Sequence, residues 1–175
     1  MAVLCTSFFQ DGIAVHNEVE QVKVVRDALF EFLNTTEALD AIDVANKPGA
    51  SSALIQGTFN KFAESLGFTS EARGLFAGYA TSGLRPDYFK PINDTGILIE
   101  VERGKTTINN MDLLDLWKCH VCNEADYLFL MVPQALRQNE EMRPRNEYAS
   151  VVKRMSTFFV QGNYTNVRGL VVFGY

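Results

Sequence analysis

Three carboxylates near the middle of the sequence have the types and spacing of a divalent-cation site. Glu100 and Glu102 are two residues apart in the run GILIEVERGK, and Asp87 lies upstream in RPDYFK. Because alternate side chains of a strand share one face, Glu100 and Glu102 are expected to project side by side. Their mutual repulsion favours a bound cation, and Mg²⁺ and Ca²⁺ prefer oxygen ligands. Asp87 supplies a third carboxylate if its strand pairs with the strand of the two glutamates.

Two other interpretations of the acidic pair must be weighed. Alternating glutamates on a strand are often only a solvated face, but the surrounding apolar helices predict a sheet that is covered on both sides. Two carboxylates can also flank a sugar bond in a glycosidase, yet nothing else in the sequence is typical of a sugar cleft. The metal site is therefore the interpretation that we favour.

The run Cys119-His120-Val121-Cys122 raises the question of a zinc site. A structural zinc ion needs a second pair of ligands, and the remaining candidates are Cys5 and His16. We therefore interpret Cys119 and Cys122 as buried structural cysteines. Among the basic residues, Arg103 and Lys105 are the first candidates for a phosphate contact, because they lie beside the acids.

Composition limits the class of protein. A chain of 175 residues with 47% apolar residues is long enough for one substantial core, and a single domain is expected. The net charge of −5 is not typical of a generic polyanion-binding surface. No apolar run is long enough to span a membrane, and the start MAVLCTSFFQDG lacks the basic segment of a secretory signal. A soluble, cytoplasmic protein with reduced thiols and no membrane association is expected.

The elements that must position the acids follow from apolar periodicity. The first part of the chain predicts an N-terminal hairpin around Asp11-Gly12, a helix over residues 18–34 and a helix from Ser51 to Gly67. A third, short helix capped by Thr69 or Ser70 would carry Glu71. Residues 78–104 predict a meander of strands that includes FAGYA, RPDYFK and ILIEVER. Further predicted elements are a helix over 110–122, a buried parallel strand over 127–133, a helix over 147–159 and the final strand LVVFGY.

The order of these elements, together with Arg85-Pro86-Asp87 and Glu100-Val101-Glu102, resembles the PD-(D/E)XK nuclease superfamily. The resemblance covers about residues 71–175. It implies a three-layer α/β fold like that of restriction endonucleases, with a central mixed β-sheet flanked by α-helices. The whole chain would form one such domain, with an N-terminal helical part at about 1–68 and the nuclease core at about 69–175.

The resemblance also implies roles for individual residues. Asp87 and Glu100 would be ligands of Mg²⁺, with Mn²⁺ as a substitute, and Glu71 would be an additional acidic ligand. Glu102 stands where the superfamily usually has lysine, and is similar to the variant of BamHI-like restriction endonucleases. Together with Asp87 and Glu100, Glu102 and Lys105 complete the expected catalytic set, in which Lys105 would reach the scissile phosphate.

The implied activity is metal-dependent hydrolysis of DNA phosphodiester bonds, with a type II restriction-like endonuclease as the first hypothesis. A homodimer is expected, because two related sites are the simplest way to cut both strands. A repair or structure-selective nuclease is a second hypothesis. A catalytically inactive binding or assembly module is a third, favoured by the missing lysine and the acidic pI of about 5.1.

Overall fold

The computed structural model describes residues 1–11, 17–47, 49–80, 83–104, 106–136 and 144–175. Within these residues, one mixed six-stranded sheet has the order β1-β8-β5-β4-β3-β2. Its strands are β1 (Leu4–Phe9), β2 (Thr69–Ser70), β3 (Tyr88–Ile92), β4 (Thr95–Val101), β5 (Tyr127–Val132) and β8 (Gly169–Gly174). The strands β6 (Ala135–Leu136) and β7 (Arg145–Asn146) form a separate short pair.

The centre of the sheet is parallel and its edges are antiparallel. β4 and β8 both run parallel to β5, while β1 and β3 pair antiparallel to β8 and β4, respectively. All residues of β4, β5 and β8 are buried, which explains why their sequences are nearly continuous apolar runs. Glu100 interrupts that pattern inside β4, so its carboxylate must be accommodated within the protein.

Helices cover both faces of the sheet. The helices are α1 (Asn17–Leu33), α2 (Thr36–Ala45), α3 (Ser52–Ser65), α4 (Met111–Val121) and α5 (Glu147–Ser156), and a 3₁₀ turn follows α5 at Thr157–Phe159. One core cluster joins Ile97, Ile99 and Val101 of β4 to α1 and α3, and the other joins Leu98 to α4 and α5. The side chain of Glu100 therefore points into the layer of α4 and α5.

Several predicted elements differ from the structure. The predicted third helix is wrong, because Thr69 and Ser70 pair with Phe89 and Tyr88 as a short strand, and Glu71 follows in a left-handed turn with φ of 46°. FAGYA forms turns rather than a strand, and α2 lies in a segment for which we predicted no helix.

The predicted N-terminal hairpin is described only in its first strand. β1 pairs with the C-terminal strand β8, from Leu4 opposite Gly174 to Phe9 opposite Gly169. The predicted second strand of the hairpin, at 13–16, lies outside the described residues. In the part of the chain that the structure describes, no helix is long and apolar enough to cross a membrane.

Candidate active site

The antiparallel pairing of β3 with β4 brings Asp87 next to the two glutamates. Tyr88 lies opposite Ile99, so Asp87, which directly precedes β3, lies at the end of β4. The Oδ2 atom of Asp87 accepts a hydrogen bond of 2.8 Å from the main-chain N–H of Val101. Gln56 of α3 also donates to this carboxylate. Asp87 is thus held at the end of β4 by contacts to two different elements.

Glu100 forms the buried centre of the site. Its side chain is 3% exposed, and its Oε1 atom lies 2.7 Å from the Nζ atom of Lys118 on α4. Burial and the negative charge of Asp115 raise the pKa of Glu100 well above its ordinary value. The contact with Lys118 opposes this increase. Lys118 therefore provides the positive charge that allows a carboxylate at this depth.

A fourth carboxylate, Asp115, comes from the same helix as Lys118. The two residues are three positions apart on one face of α4, and Nζ of Lys118 lies 2.9 Å from Oδ1 of Asp115. Asp115 is fully buried, and the contact with Lys118 involves only one of its two carboxylate oxygens. A buried anion with so few partners is costly, and burial raises the pKa of Asp115.

Glu102 completes the cluster directly after the end of β4. Its main chain is anchored on both sides, because its N–H donates to the carbonyl of Met131 at 2.8 Å and its carbonyl accepts from the hydroxyl of Tyr175 at 2.8 Å. Burial and the charge of Asp115 raise the pKa of the Glu102 carboxyl group to about 8. In its protonated form Glu102 can donate to Asp115.

Two buried acids, Glu147 and Asp112, take part in contacts that connect α4 and the segment before it to α5. Glu147, at the start of α5, accepts hydrogen bonds from the N–H and the hydroxyl of Thr107 at 2.6 and 2.8 Å. The guanidinium of Arg154 forms a two-pronged ion pair with Asp112 of α4. These contacts hold α4 in position beside β4, and therefore fix Asp115 and Lys118 relative to Glu100.

Comparisons with known proteins reveal a relationship in structure. No protein-family model and no curated protein matches this sequence. Among solved structures, the restriction endonuclease BglII complexed with a DNA 16-mer matches with a TM-score of 0.52, over 99% of this chain and 78% of that chain, at 11% sequence identity. The fold is restriction-endonuclease-like. The predicted α/β architecture, a central mixed sheet flanked by helices, is thereby confirmed.

Within this restriction-endonuclease-like fold, one of the expected site residues, Glu71, lies apart from the buried cluster, and another, Lys105, is not described. Glu71 is exposed in its left-handed turn, where it lies 3.5 Å from a guanidinium nitrogen of Arg85. It is close enough for its charge to contribute to the raised pKa of Asp87, a shift that is due chiefly to burial. Lys105 lies outside the described residues. Arg103 is half-buried and donates to the main-chain carbonyl of Lys47.

Sequence reasoning missed Asp115 and Lys118, although a signal was present. Both lie on the face of α4 that carries the buried residues Leu116 and Cys119. An acid and a base three residues apart on an apolar face are expected to form an ion pair with each other or with another buried charged group. The other prediction for this helix is confirmed, because Cys119 and Cys122 are free and buried.

The donors in this site fit a hard divalent cation in kind. All are carboxylate oxygens, and both oxygens of Asp115 are buried. In this conformation, however, no three acidic, histidine or cysteine side chains of the described ranges are grouped so that they could hold a metal ion. The ammonium of Lys118 contacts both Glu100 and Asp115, at 2.7 and 2.9 Å.

Proposed function

We propose that this protein is a Mg²⁺-dependent endonuclease that hydrolyses phosphodiester bonds of DNA. The observation that carries the proposal is the proximity of Asp87, Glu100 and Glu102 at the end of β4 on a restriction-endonuclease-like fold. Carboxylates from adjoining strands suit a metal ion that binds a phosphate. The solved structure that matches this chain is described as a restriction endonuclease complexed with DNA, which supports DNA as the substrate class.

In this proposal Asp87 and Glu100 are the principal metal ligands, with Glu71 as a further acidic ligand at the rim. When bound, Mg²⁺ would lower the pKa of a coordinated water and stabilise negative charge on the leaving oxygen. In the metal-free protein, the N–H of Val101 holds Asp87 at the end of β4, and Lys118 holds Glu100. Since the pKa of Glu102 is about 8, its carboxyl group can take up or release a proton at neutral pH.

Two basic residues that follow the acids in the sequence are proposed to contact the DNA backbone. Arg103 directly follows Glu102, and Lys105 is the basic residue that we expect to reach the scissile phosphate. We also propose a homodimer, in which each subunit cuts one strand. Sedimentation of the purified protein with and without a DNA duplex would test this, and a monomer in both states would contradict it.

Cleavage of plasmid DNA is the test of the proposed function. We expect conversion of supercoiled plasmid in Mg²⁺ or Mn²⁺, no conversion in EDTA, and no conversion by the Asp87→Asn variant in either metal. Asp94→Asn is the matched control, because Asp94 is an exposed residue in the turn of the same β3–β4 hairpin. Discrete fragments would indicate sequence specificity, whereas preference for branched or damaged duplexes would indicate a structure-selective or repair nuclease.

A catalytically inactive binding module is the second candidate. One argument for it is Glu102, at a position where the superfamily usually has lysine. Another is that Glu100 and Asp115 pair with Lys118, while the described residues contain no group of acidic side chains that could hold a metal ion. Titration calorimetry with Mn²⁺ distinguishes the two. Metal binding that is lost in Asp87→Asn supports the nuclease, and absence of both binding and cleavage supports the inactive module.

A further inference from the structure

Lys118 has the position of a cation that bridges two buried acids. Its single Nζ atom lies 2.7 Å from Glu100 Oε1 of the sheet and 2.9 Å from Asp115 Oδ1 of its own helix. Its side chain is 11% exposed, so this charge is shielded from solvent. In the cluster, one ammonium thus faces the four carboxyl groups of Asp87, Glu100, Glu102 and Asp115.

A second ion pair, between Asp112 of α4 and Arg154 of α5, is an example of a purely structural arrangement. Asp112 is fully buried like Asp115, but both of its oxygens accept hydrogen bonds from the guanidinium of Arg154. Arg154 is itself fixed by contacts to Asn110 and the carbonyl of Thr107. This pair satisfies its hydrogen-bonding groups. By contrast, Lys118 contacts Asp115 through Oδ1, at 2.9 Å, and the hydrogen bond between Asp115 and Glu102 requires one of the two carboxyl groups to be protonated.

The incomplete coordination of Asp115 indicates that its oxygens have capacity for another cation. A divalent ion with several oxygen ligands would satisfy them better than one ammonium, and would neutralise more of the surrounding negative charge. The ammonium of lysine is carried by a flexible four-carbon stem, so it can withdraw without a change in the backbone of α4.

We propose that Lys118 is a resident counter-ion that competes with the divalent metal ion for Glu100 and Asp115, and that Asp115 is a further ligand of that ion. This inference rests on the proposed metal site. Lys118 acts here as a positioning residue, because it holds Glu100 and Asp115 in the metal-free protein and leaves them when the metal binds.

The test compares two variants that each remove the cation next to a buried aspartate of α4. Lys118→Met and Arg154→Met are titrated with Mn²⁺ alone by calorimetry, and their thermal unfolding is followed in EDTA and in Mn²⁺. We expect Lys118→Met to bind Mn²⁺ roughly tenfold more tightly than the wild type, since a competing charge is lost at close range. Its lowered Tm should recover in Mn²⁺, whereas Arg154→Met, which loosens the position of α4, should not bind Mn²⁺ more tightly than the wild type and should show no specific recovery. Asp115→Asn should weaken Mn²⁺ binding.

Each outcome supports or overturns the inference. Equal Mn²⁺ affinity of the wild type and Lys118→Met overturns the inference but leaves the proposed nuclease standing. Absence of Mn²⁺ binding in both proteins contradicts the proposed function itself. If Lys118→Met does not fold, reductive methylation of the wild type followed by mass spectrometry decides. Faster labelling of Lys118 with bound Mn²⁺ supports displacement, and unchanged labelling at saturating Mn²⁺ overturns it.

Discussion

The carboxylate of Asp87 accepts a hydrogen bond of 2.8 Å from the main-chain N–H of Val101, the residue between Glu100 and Glu102. This contact joins the residue before β3 to the end of β4, where Asp87, Glu100 and Glu102 lie close together. It means that Asp87 has a structural function in addition to its proposed function as a metal ligand. The two functions can be separated by substitution, because an amide oxygen can accept the same hydrogen bond.

We therefore expect Asp87→Asn and Asp87→Ala to lose cleavage alike but to differ in stability. The alanine variant leaves the N–H of Val101 without an acceptor, which costs about 1–3 kcal/mol, whereas asparagine keeps an oxygen there. Urea denaturation in EDTA measures the free energy of unfolding, and plasmid conversion measures activity. Equal stability of the two variants would show that the contact with Val101 contributes little.

Stability of the metal-free protein should fall as the pH rises from about 5 to 8. The pKa of Glu102 is raised from 4.5 to about 8, and those of Glu100 and Asp115 are also raised by burial. Between the unfolded and folded pKa values, the folded state holds more protons than the unfolded state, so unfolding releases protons and becomes easier at higher pH. Each pKa unit corresponds to about 1.4 kcal/mol.

Glu102→Gln should remove much of this pH dependence, because it replaces the carboxyl group by a neutral amide that cannot lose a proton. Urea denaturation of both proteins in EDTA at several pH values provides the measurement. Lys118 does not contribute a slope in this range, since its pKa is raised above its ordinary value of 10.5 by Glu100 and Asp115 despite the opposing effect of burial. A wild-type protein that becomes more stable from pH 5 to pH 8 would contradict the assignment.

Gly96→Ala should destabilise the hairpin that carries the site. A Cβ atom at Gly96 would lie 2.5 Å from the ring of Phe89 and 2.8 Å from the carbonyl oxygens of Lys90 and Glu124. Two of these contacts are to backbone, so the strands must move apart, at a cost of about 1–3 kcal/mol. Gly57→Ala is the control, because Gly57 is exposed within α3 and a Cβ there meets nothing within 4 Å.

The control should be more stable than the wild type by about 0.5–1 kcal/mol, because alanine has a higher helix propensity than glycine. Thermal unfolding of both variants provides the comparison. If Gly96→Ala unfolds at the wild-type temperature, the backbone around Gly96 is packed less closely than these distances indicate.

Cys119 should resist alkylation in the native protein. It is fully buried, and burial raises the pKa of its thiol well above the ordinary value, so the reactive thiolate is rare. Cys5 is only half-buried and should react first. Iodoacetamide labelling with mass spectrometry, in buffer and in urea, distinguishes these thiols. Alkylation of Cys119 at the rate of Cys5 in buffer would contradict the packing of α4 on the sheet.

The predicted elements that the structure confirms are those whose pattern is local. The helix predicted over 18–34 corresponds to α1, and the apolar runs ILIEVER and YLFLMVP overlap β4 and β5, respectively. A period of 3.6 or 2 is visible in one sequence because each element must bury one face or be buried entirely. β2 could not be predicted in this way, since a strand of two residues exists only through its pairing with β3.

The fold class could be predicted from the sequence alone, and so could the projection of Glu100 and Glu102 to the same side of the chain, because alternation along an extended segment is a property of the backbone. The sequence also allowed Asp87 to be placed beside them, subject to the pairing of β3 with β4. The presence of Asp115 and Lys118 in this cluster depends on how α4 packs in three dimensions. The rotation of α4 about its own axis is set by its packing against β4, β5 and α5, and no local pattern specifies which carboxylate that rotation turns toward Glu100.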